Sequence, residues 1–234
     1  MNAGRVIGML ALLAGLEPAT VAAQAPLRFE VVPRAGMLAP MREIGPAAPA
    51  GGPWYLRLER MGAAPAFEME VRVNGPGSRI AARLVGLATL PADVSGFFNC
   101  YPGLACPAVL LPSAAEVAVL AAAVDVLYSP LRGVRAIRPF AALGVGVKRY
   151  RFTWPDAAVL VRGGEHSEST PAVRAGAGVE LAVLGQSIRA EVADWWSPEG
   201  RRISEDPGLP GLSAPRRRAQ HDIAVSIGWR LLRF

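Results

Sequence analysis

Apolar and polar side chains alternate at a period of two along most of this chain, and that pattern limits its folds more than any other feature. Phe67, Met69, Val71 and Val73 alternate with Glu68, Glu70, Arg72 and Asn74. Val173, Ala175, Ala177, Val179 and Leu181 alternate with Arg174, Gly176, Gly178, Glu180 and Ala182. Ile223, Val225, Ile227, Trp229 and Leu231 alternate with Asp222, Ala224, Ser226, Gly228 and Arg230. Such a period gives a strand one apolar face and one polar or small face. Applied throughout, it predicts eight strands at 28–38, 66–74, 78–90, 115–129, 134–152, 169–184, 186–196 and 219–234. The alanines of 115–128 would suit a helix. Their length, their valines and the following Ser129-Pro130 favour a strand.

Hydrophobic residues make up 52% of the 234, which excludes disorder as the main state because there is ample apolar surface to bury. Yet beyond the extreme N-terminus no stretch of about 20 residues is free of charge or proline, so membrane-spanning helices are not expected. Residues 1–23 read as a secretory signal. Arg5 is followed by the apolar run Val6 to Leu16, and Val21-Ala22-Ala23 supplies small residues before a cut. The remaining 24–234 is expected to be one domain; the alternative for the leader is a short anchor helix. Cys100 and Cys106 bracket Tyr-Pro-Gly-Leu-Ala. A small disulfide loop there suits an oxidising compartment, two free thiols being the alternative.

The connections alternate in length. Short ones run through Asn74-Gly75-Pro76-Gly77, Ser129 to Gly133 and Leu184-Gly185-Gln186; long ones cover 39–65, 91–114, 153–168 and 197–218. In an up-and-down antiparallel sheet every other connection lies at the same end, so one end is trimmed and the other elaborate. Transmembrane barrels have this asymmetry, and a bilayer demands closure because an open strand edge leaves backbone groups unpaired in hydrocarbon. Trp54 to Met61 alternates well inside the first long connection and is expected to extend the second strand beyond the membrane, interrupted near Gly62–Pro65.

If the apolar parity faces lipid, the other faces inward. That inward set contains Glu30, Glu68, Glu70, Asp125, Glu180, Glu191 and Asp222, with Arg34, Arg72, Arg83, Lys148, Arg174, Arg189 and Arg230. On the lipid side an Arg or Lys at mid-membrane would cost ~2–4 kcal/mol. Inside, seven acids can pair with seven bases, in a bore that eight strands make just wide enough for side chains to fill. Gly144, Gly146, Gly176, Gly178 and Gly228 leave room for the long arginines. A plugged interior follows, with a narrow gated conduit as its functional rival. Trp154 and Trp196 at one end, and Tyr128, Trp229 and Phe234 at the other, suit two interfacial belts.

Catalytic chemistry is not apparent. His166 sits in the loop Gly164 to Ser169, and His221 begins the last strand. A Ser/His/Glu hydrolase built on such a loop lacks rigid support, and there is no nucleophile elbow, phosphate loop or paired-histidine motif. No catalytic residue, metal or cofactor is assigned. Arg201-Arg202 and Arg216-Arg217-Arg218 in the last long connection suit lipopolysaccharide phosphates or a solvated rim; no nucleic-acid partner is expected.

The last strand, Ile223 to Leu231 followed by a final Phe234, resembles the terminal strand of bacterial outer-membrane barrels. Arg138-Pro139-Phe140-Ala141-Ala142-Leu143-Gly144-Val145-Gly146-Val147 is similar to an inner strand of those barrels, as are Gly176 to Leu181 and Ser187 to Val192 to later ones. The whole of 24–234 thus resembles the small eight-stranded barrels grouped with the transmembrane domain of outer-membrane protein A. One departure is that Leu231 and Leu232 are adjacent, so the alternation slips by one residue. The resemblance implies an outer-membrane location, a sorting signal at Trp229 and Phe234 read by the barrel assembly machinery, and contact with lipid and lipopolysaccharide. The implied protein is a monomer without enzymatic activity, serving structure, membrane integrity or surface contact with an unknown ligand through four long external loops. The alternatives are a narrow pore for small solutes, a lipid-modifying enzyme, and a soluble lipocalin-like barrel in the periplasm with its faces reversed.

Overall fold

The structure is a computed structural model that describes residues 27–41, 45–47, 54–75, 77–100, 109–130, 136–153, 165–183, 186–198 and 220–233. Twelve strands form one sheet among these residues. They are β1 (Arg28–Pro40), β2 (Gly45–Ala47), β3 (Trp54–Met61), β4 (Ala64–Asn74), β5 (Ile80–Thr89), β6 (Ala92–Cys100), β7 (Val109–Tyr128), β8 (Ile137–Thr153), β9 (Glu165–Val183), β10 (Gln186–Ser197), β11 (Gln220–Trp229) and β12 (Leu232–Arg233).

Eight of them close a ring. β1, β4, β5, β7, β8, β9, β10 and β11 each pair antiparallel with the next, and β11 pairs back with β1. The fold is therefore an all-β, closed, eight-stranded antiparallel up-and-down barrel. Followed sideways from Arg72, the ladders lead to Arg83, Asp125, Gly144, Arg174, Trp195, Asp222 and Pro40. Extending the β1–β4 ladder two residues past the Leu38–Ala64 pair returns to Gly62, ten residues before Arg72. A stagger of ten on eight strands tilts them by about 40° to the barrel axis. Each sideways step thus climbs toward the long-connection end.

The sequence slip at Leu231–Leu232 has a structural counterpart. Gly228 faces Arg34, but Leu232 faces Val31, so one extra residue enters the closing strand between them. Arg230 donates its backbone N–H to the Ser187 carbonyl at 3.0 Å, and Leu231 donates to Val31 at 3.0 Å. A bulge of this kind absorbs a phase error while keeping the seam paired. At the opposite, tight end the β4–β5 turn places Gly77 at φ 66°, the left-handed region where a side chain is penalised.

The long-connection end differs from a set of loops. β3 continues β4 past a break at Gly62–Ala63, and β6 continues β5 past Leu90–Pro91. β3 then pairs with β6 as β4 pairs with β5, with β2 on the outer flank of β3 and the first half of β7 beside β6. The junction is held by Gly62 N–H to the Asp93 carbonyl at 3.1 Å and Leu90 N–H to the Pro65 carbonyl at 2.9 Å. One flank of the barrel therefore rises above the ring as a four-stranded apron. The extension expected at Trp54 to Met61 is present. The loop expected at 91–114 is corrected, because Ala92–Cys100 and the residues from Val109 onward are strand. Pro91 donates no ladder bond and ends the β5 phase, and residues 92–100 pair without alternating cleanly.

The expected Cys100–Cys106 disulfide is also corrected: among the described residues there is no disulfide. Cys100 is the last ladder residue of β6, opposite Trp54, rather than part of a turn. Cys106 lies outside the described residues, as do the leader 1–23, Trp154, Phe234 and the arginines 201, 202, 216, 217 and 218.

Candidate functional site

Alternation along each barrel strand sends every second side chain into the bore. Thirteen of the fourteen charged residues named for the interior are buried there: Glu30, Arg34, Glu68, Glu70, Arg72, Arg83, Asp125, Lys148, Arg174, Glu180, Arg189, Glu191 and Asp222. Arg230, close to the rim, keeps 22% of its side chain exposed.

The register sorts them into levels. Nearest the short turns, Ala81, Leu127 and Phe140 pack together, and the Arg189 guanidinium lies 5.3 Å over the Phe140 ring. Around them Glu180 accepts from Arg189 at 2.8 Å, from Arg72 at 3.3 Å and from the Ser187 hydroxyl at 2.7 Å. Glu30 faces Arg230 at 3.3 Å and Arg72 at 3.8 Å.

One level up the pairs fuse. Glu191 accepts from Arg83 at 2.7 Å, from Arg174 at 2.7 Å and from Arg34. Asp125 is shared by Arg83 and Arg174, each at 2.6 Å. Arg34 lies 2.6 Å from Glu68 and 3.5 Å from Glu70, and Glu70 also binds Arg189 and lies 3.3 Å from Arg83. Six arginines and six carboxylates thus make a neutral, connected net. Desolvating such ions costs several kcal/mol each, and the cost is recovered only when every member finds opposite charge and hydrogen bonds. The glycines named for the bore permit that density. A Cβ on Gly144 would sit 2.1 Å from an Asp125 carboxylate oxygen, one on Gly176 2.6 Å from Glu191, and one on Gly228 2.3 Å from the Arg34 side chain.

Toward the long connections the bore becomes apolar. Leu38, Val85, Leu87, Val117, Val119, Ala121, Phe152, Ala172 and Trp195 belong to one buried cluster, joined by Met61 and Val94 from the apron. Set within it, Lys148 donates to Asp222 at 2.7 Å and to the Trp195 carbonyl at 2.8 Å, and the Tyr150 hydroxyl donates to Asp222 at 2.5 Å. The sequence reading missed this apolar level and Tyr150. A signal was present: Val85 and Leu87 share parity with Arg83, and Val117 and Val119 with Asp125.

The outer face is the reverse. Leu84, Leu120, Val124, Val126, Leu143, Val145, Val147, Val192, Val225 and Ile227 are exposed, Val145 by 67%. A waist of exposed aliphatic side chains around a charged bore is stable only in hydrocarbon. It is opposite to a soluble binding barrel, whose greasy side chains would line the inside. Trp196 is exposed toward the long connections, and Tyr128 and Trp229 toward the short turns, where amphipathic rings favour the membrane interface. The barrel spans a bilayer, and its location is the outer membrane. Val145→Arg is expected to destabilise it by ~2–4 kcal/mol, and Tyr128→Arg near the interface by ~0–1 kcal/mol. Urea unfolding in vesicles measures both, and equal costs would contradict this placement of the bilayer.

The two histidines lie in different strands. His166 is corrected from a loop to β9, opposite Phe152, and Ser167 is in the same strand. His221 Nδ1 lies 2.7 Å from an Asp194 carboxylate oxygen on the outer surface. No cluster of His, Cys, Asp and Glu able to hold a metal occurs among the described residues.

No family model matches the sequence, and no curated protein matches it. Solved structures do resemble the fold. Neisserial surface protein A aligns at 10% identity over 87% of this chain and 96% of that one, with a TM-score of 0.50. The outer membrane protein OprG from Pseudomonas aeruginosa aligns at 11% identity over 87% and 95%, TM-score 0.47. The attachment invasion locus protein Ail of Yersinia pestis aligns at 9% identity over 88% and 99%, TM-score 0.45. The likeness is to small outer-membrane barrels as a class and establishes no specific relation to outer-membrane protein A. Closed ring, charged bore and apolar waist together make this chain an eight-stranded antiparallel barrel of the outer-membrane type.

Proposed function

We propose that the chain acts as a non-conducting, non-enzymatic barrel whose work is done outside the bilayer, in envelope integrity and surface contact. The observation that supports this reading is the filled bore, in which a neutral ionic net lies beneath an apolar level. Ions would have to displace packed Leu38, Val119 and Phe152 before reaching the arginines. The apron of β2, β3, β6 and β7 then offers a paired, structured surface beyond the ring. Neisserial surface protein A, as its name states, is a surface protein, and the same placement suits this chain. In this reading residues 1–23 are a removable export signal. The assembly machinery inserts the barrel by its terminal strand, with Trp229 and Phe234 as the signal. The mature monomer sits in lipid, with Arg201, Arg202 and Arg216 to Arg218 against lipopolysaccharide.

Two measurements test this. Purified protein in planar bilayers is expected to give no steady conductance, and stable large channels would overturn the plugged bore. Trypsin added to intact cells is expected to cut at the arginines of 199–219. Cleavage only after the outer membrane is opened would reverse the orientation.

A further inference from the structure

The lipid-facing wall has a groove that the fold itself does not require. It is a concavity of about 590 Å³ across β4, β5, β7 and β8, reaching Ser169 of β9. Gly86, Ala88 and Ala122 form its floor, and Phe67, Met69, Leu120 and Val147 its sides. Those four wall residues are each exposed to the membrane. Arg149 and Ser169 stand at the end nearer the long connections, with Arg149 steadied by a 2.9 Å hydrogen bond to the Ser167 hydroxyl. Nearby on the same outer wall Leu84, Val124, Val126, Leu143 and Val145 stand exposed. Here Gly86 faces Ala122 across the β5–β7 ladder, with Ala88 two residues further along β5, and the three leave a channel running inward from a cation at the interface.

Gly86 is the informative residue. The other described glycines within the barrel strands, Gly36, Gly144, Gly146, Gly176, Gly178 and Gly228, point into the bore, and a Cβ on any of them would come within 3 Å of another atom. Gly86 points outward, and a Cβ there would meet nothing within 4 Å. Packing does not exclude a side chain at this position. In a strand a glycine without such a demand is a net cost, so its effect is the open space it leaves. That space ends at a guanidinium, a group that holds phosphate by charge-assisted hydrogen bonds. Because Arg149 lies toward the long connections, the headgroup belongs to the outer leaflet.

We propose that this groove is a lipopolysaccharide site, one acyl chain lying over Gly86 between Phe67 and Leu120, with a phosphate of the same molecule on Arg149. This rests on the membrane-spanning reading above and on the long connections facing outward, but not on the apron or the plugged bore.

The test is native mass spectrometry of the full chain extracted in mild detergent from cells that make lipopolysaccharide. The wild-type protein is expected to retain one lipopolysaccharide molecule. Gly86→Leu fills the channel and should lower the retained fraction about tenfold, and Arg149→Gln should do so several-fold, with partial recovery in Arg149→Lys. All three variants should keep the anomalous migration of a folded barrel on unheated gels. If Gly86→Leu folds poorly, Arg149→Gln and Arg149→Lys decide the matter, since neither alters strand packing. Full retention by folded Gly86→Leu or Arg149→Gln overturns the site, as does a wild-type protein carrying only phosphatidylethanolamine or detergent. Recovery of the chain in osmotic-shock fluid would instead defeat the membrane reading itself, and the site with it.

Discussion

Glu191→Ala is expected to cost the barrel about 3–5 kcal/mol, the range for removing one member of a buried charge cluster and leaving its partners unpaired. The carboxylate at this position accepts from Arg34, Arg83 and Arg174 together, and each of those side chains is almost fully buried. Without it, three guanidinium groups face one another across a bore where water is scarce. Urea midpoints in vesicles, with the folded fraction on unheated gels, report the loss. Val192→Ala, one residue on and facing lipid, serves as the control and should move stability by only about 0.5 kcal/mol. If Glu191→Ala cost less than about 1 kcal/mol, the arginines would have to reach water, and the account of a sealed net would be wrong.

Gly144→Ala should be nearly as damaging, for a steric reason. The added methyl would stand 2.1 Å from Asp125 and 2.3 Å from the Val124 carbonyl. The carbonyl belongs to the neighbouring strand's backbone and cannot swing aside, so β7 and β8 must separate locally. Overpacking of this kind costs about 1–3 kcal/mol. Here it also displaces the carboxylate that Arg83 and Arg174 share. Gly86→Ala makes the paired comparison: same residue change, same sheet, open space instead of a wall. The first variant should be recovered mainly unfolded under conditions where the second folds normally. Equal folding yields would show that bore spacing is not set by these glycines.

How much of this was legible beforehand depended on where a face has a single character. Along β4 and in the lower half of β9 one parity is apolar and the other charged, so both strand and orientation could be read directly from Phe67 to Val73 and from Val173 to Leu181. In the upper half of β5 both parities are apolar: Val85 and Leu87 look inward while Leu84 and Ala88 look outward, because the bore itself turns apolar at that height. Alternation has no contrast to offer there. The apron was half legible. Trp54 to Met61 alternates, whereas its partner Ala92–Cys100 mixes small, polar and aromatic residues after Pro91 and resembles a loop until the pairing is seen. The ionic net could be expected as a set of inward charges, but not as a graph. Which carboxylate serves which arginine depends on a stagger of ten residues that no local pattern encodes. The groove at Gly86 had no sequence signal at all, since an outward glycine and an inward one look alike without the ladder register.

Several partners in the ionic net are far apart along the chain. Arg34 and Glu191 are separated by 157 residues, Arg189 and Glu70 by 119, and Arg83 and Glu191 by 108. A single hairpin satisfies only part of the net: β9–β10 pairs Arg174 with Glu191 and Arg189 with Glu180, and β1–β4 pairs Arg34 with Glu68, but Glu191 gains Arg34 only when the first and last strands meet. Assembly should accordingly be cooperative, with the net completed only when the seam closes. Before that moment the same dispersed charges keep the nascent polypeptide wettable, which lets a greasy cargo cross one aqueous compartment without lodging in the wrong bilayer.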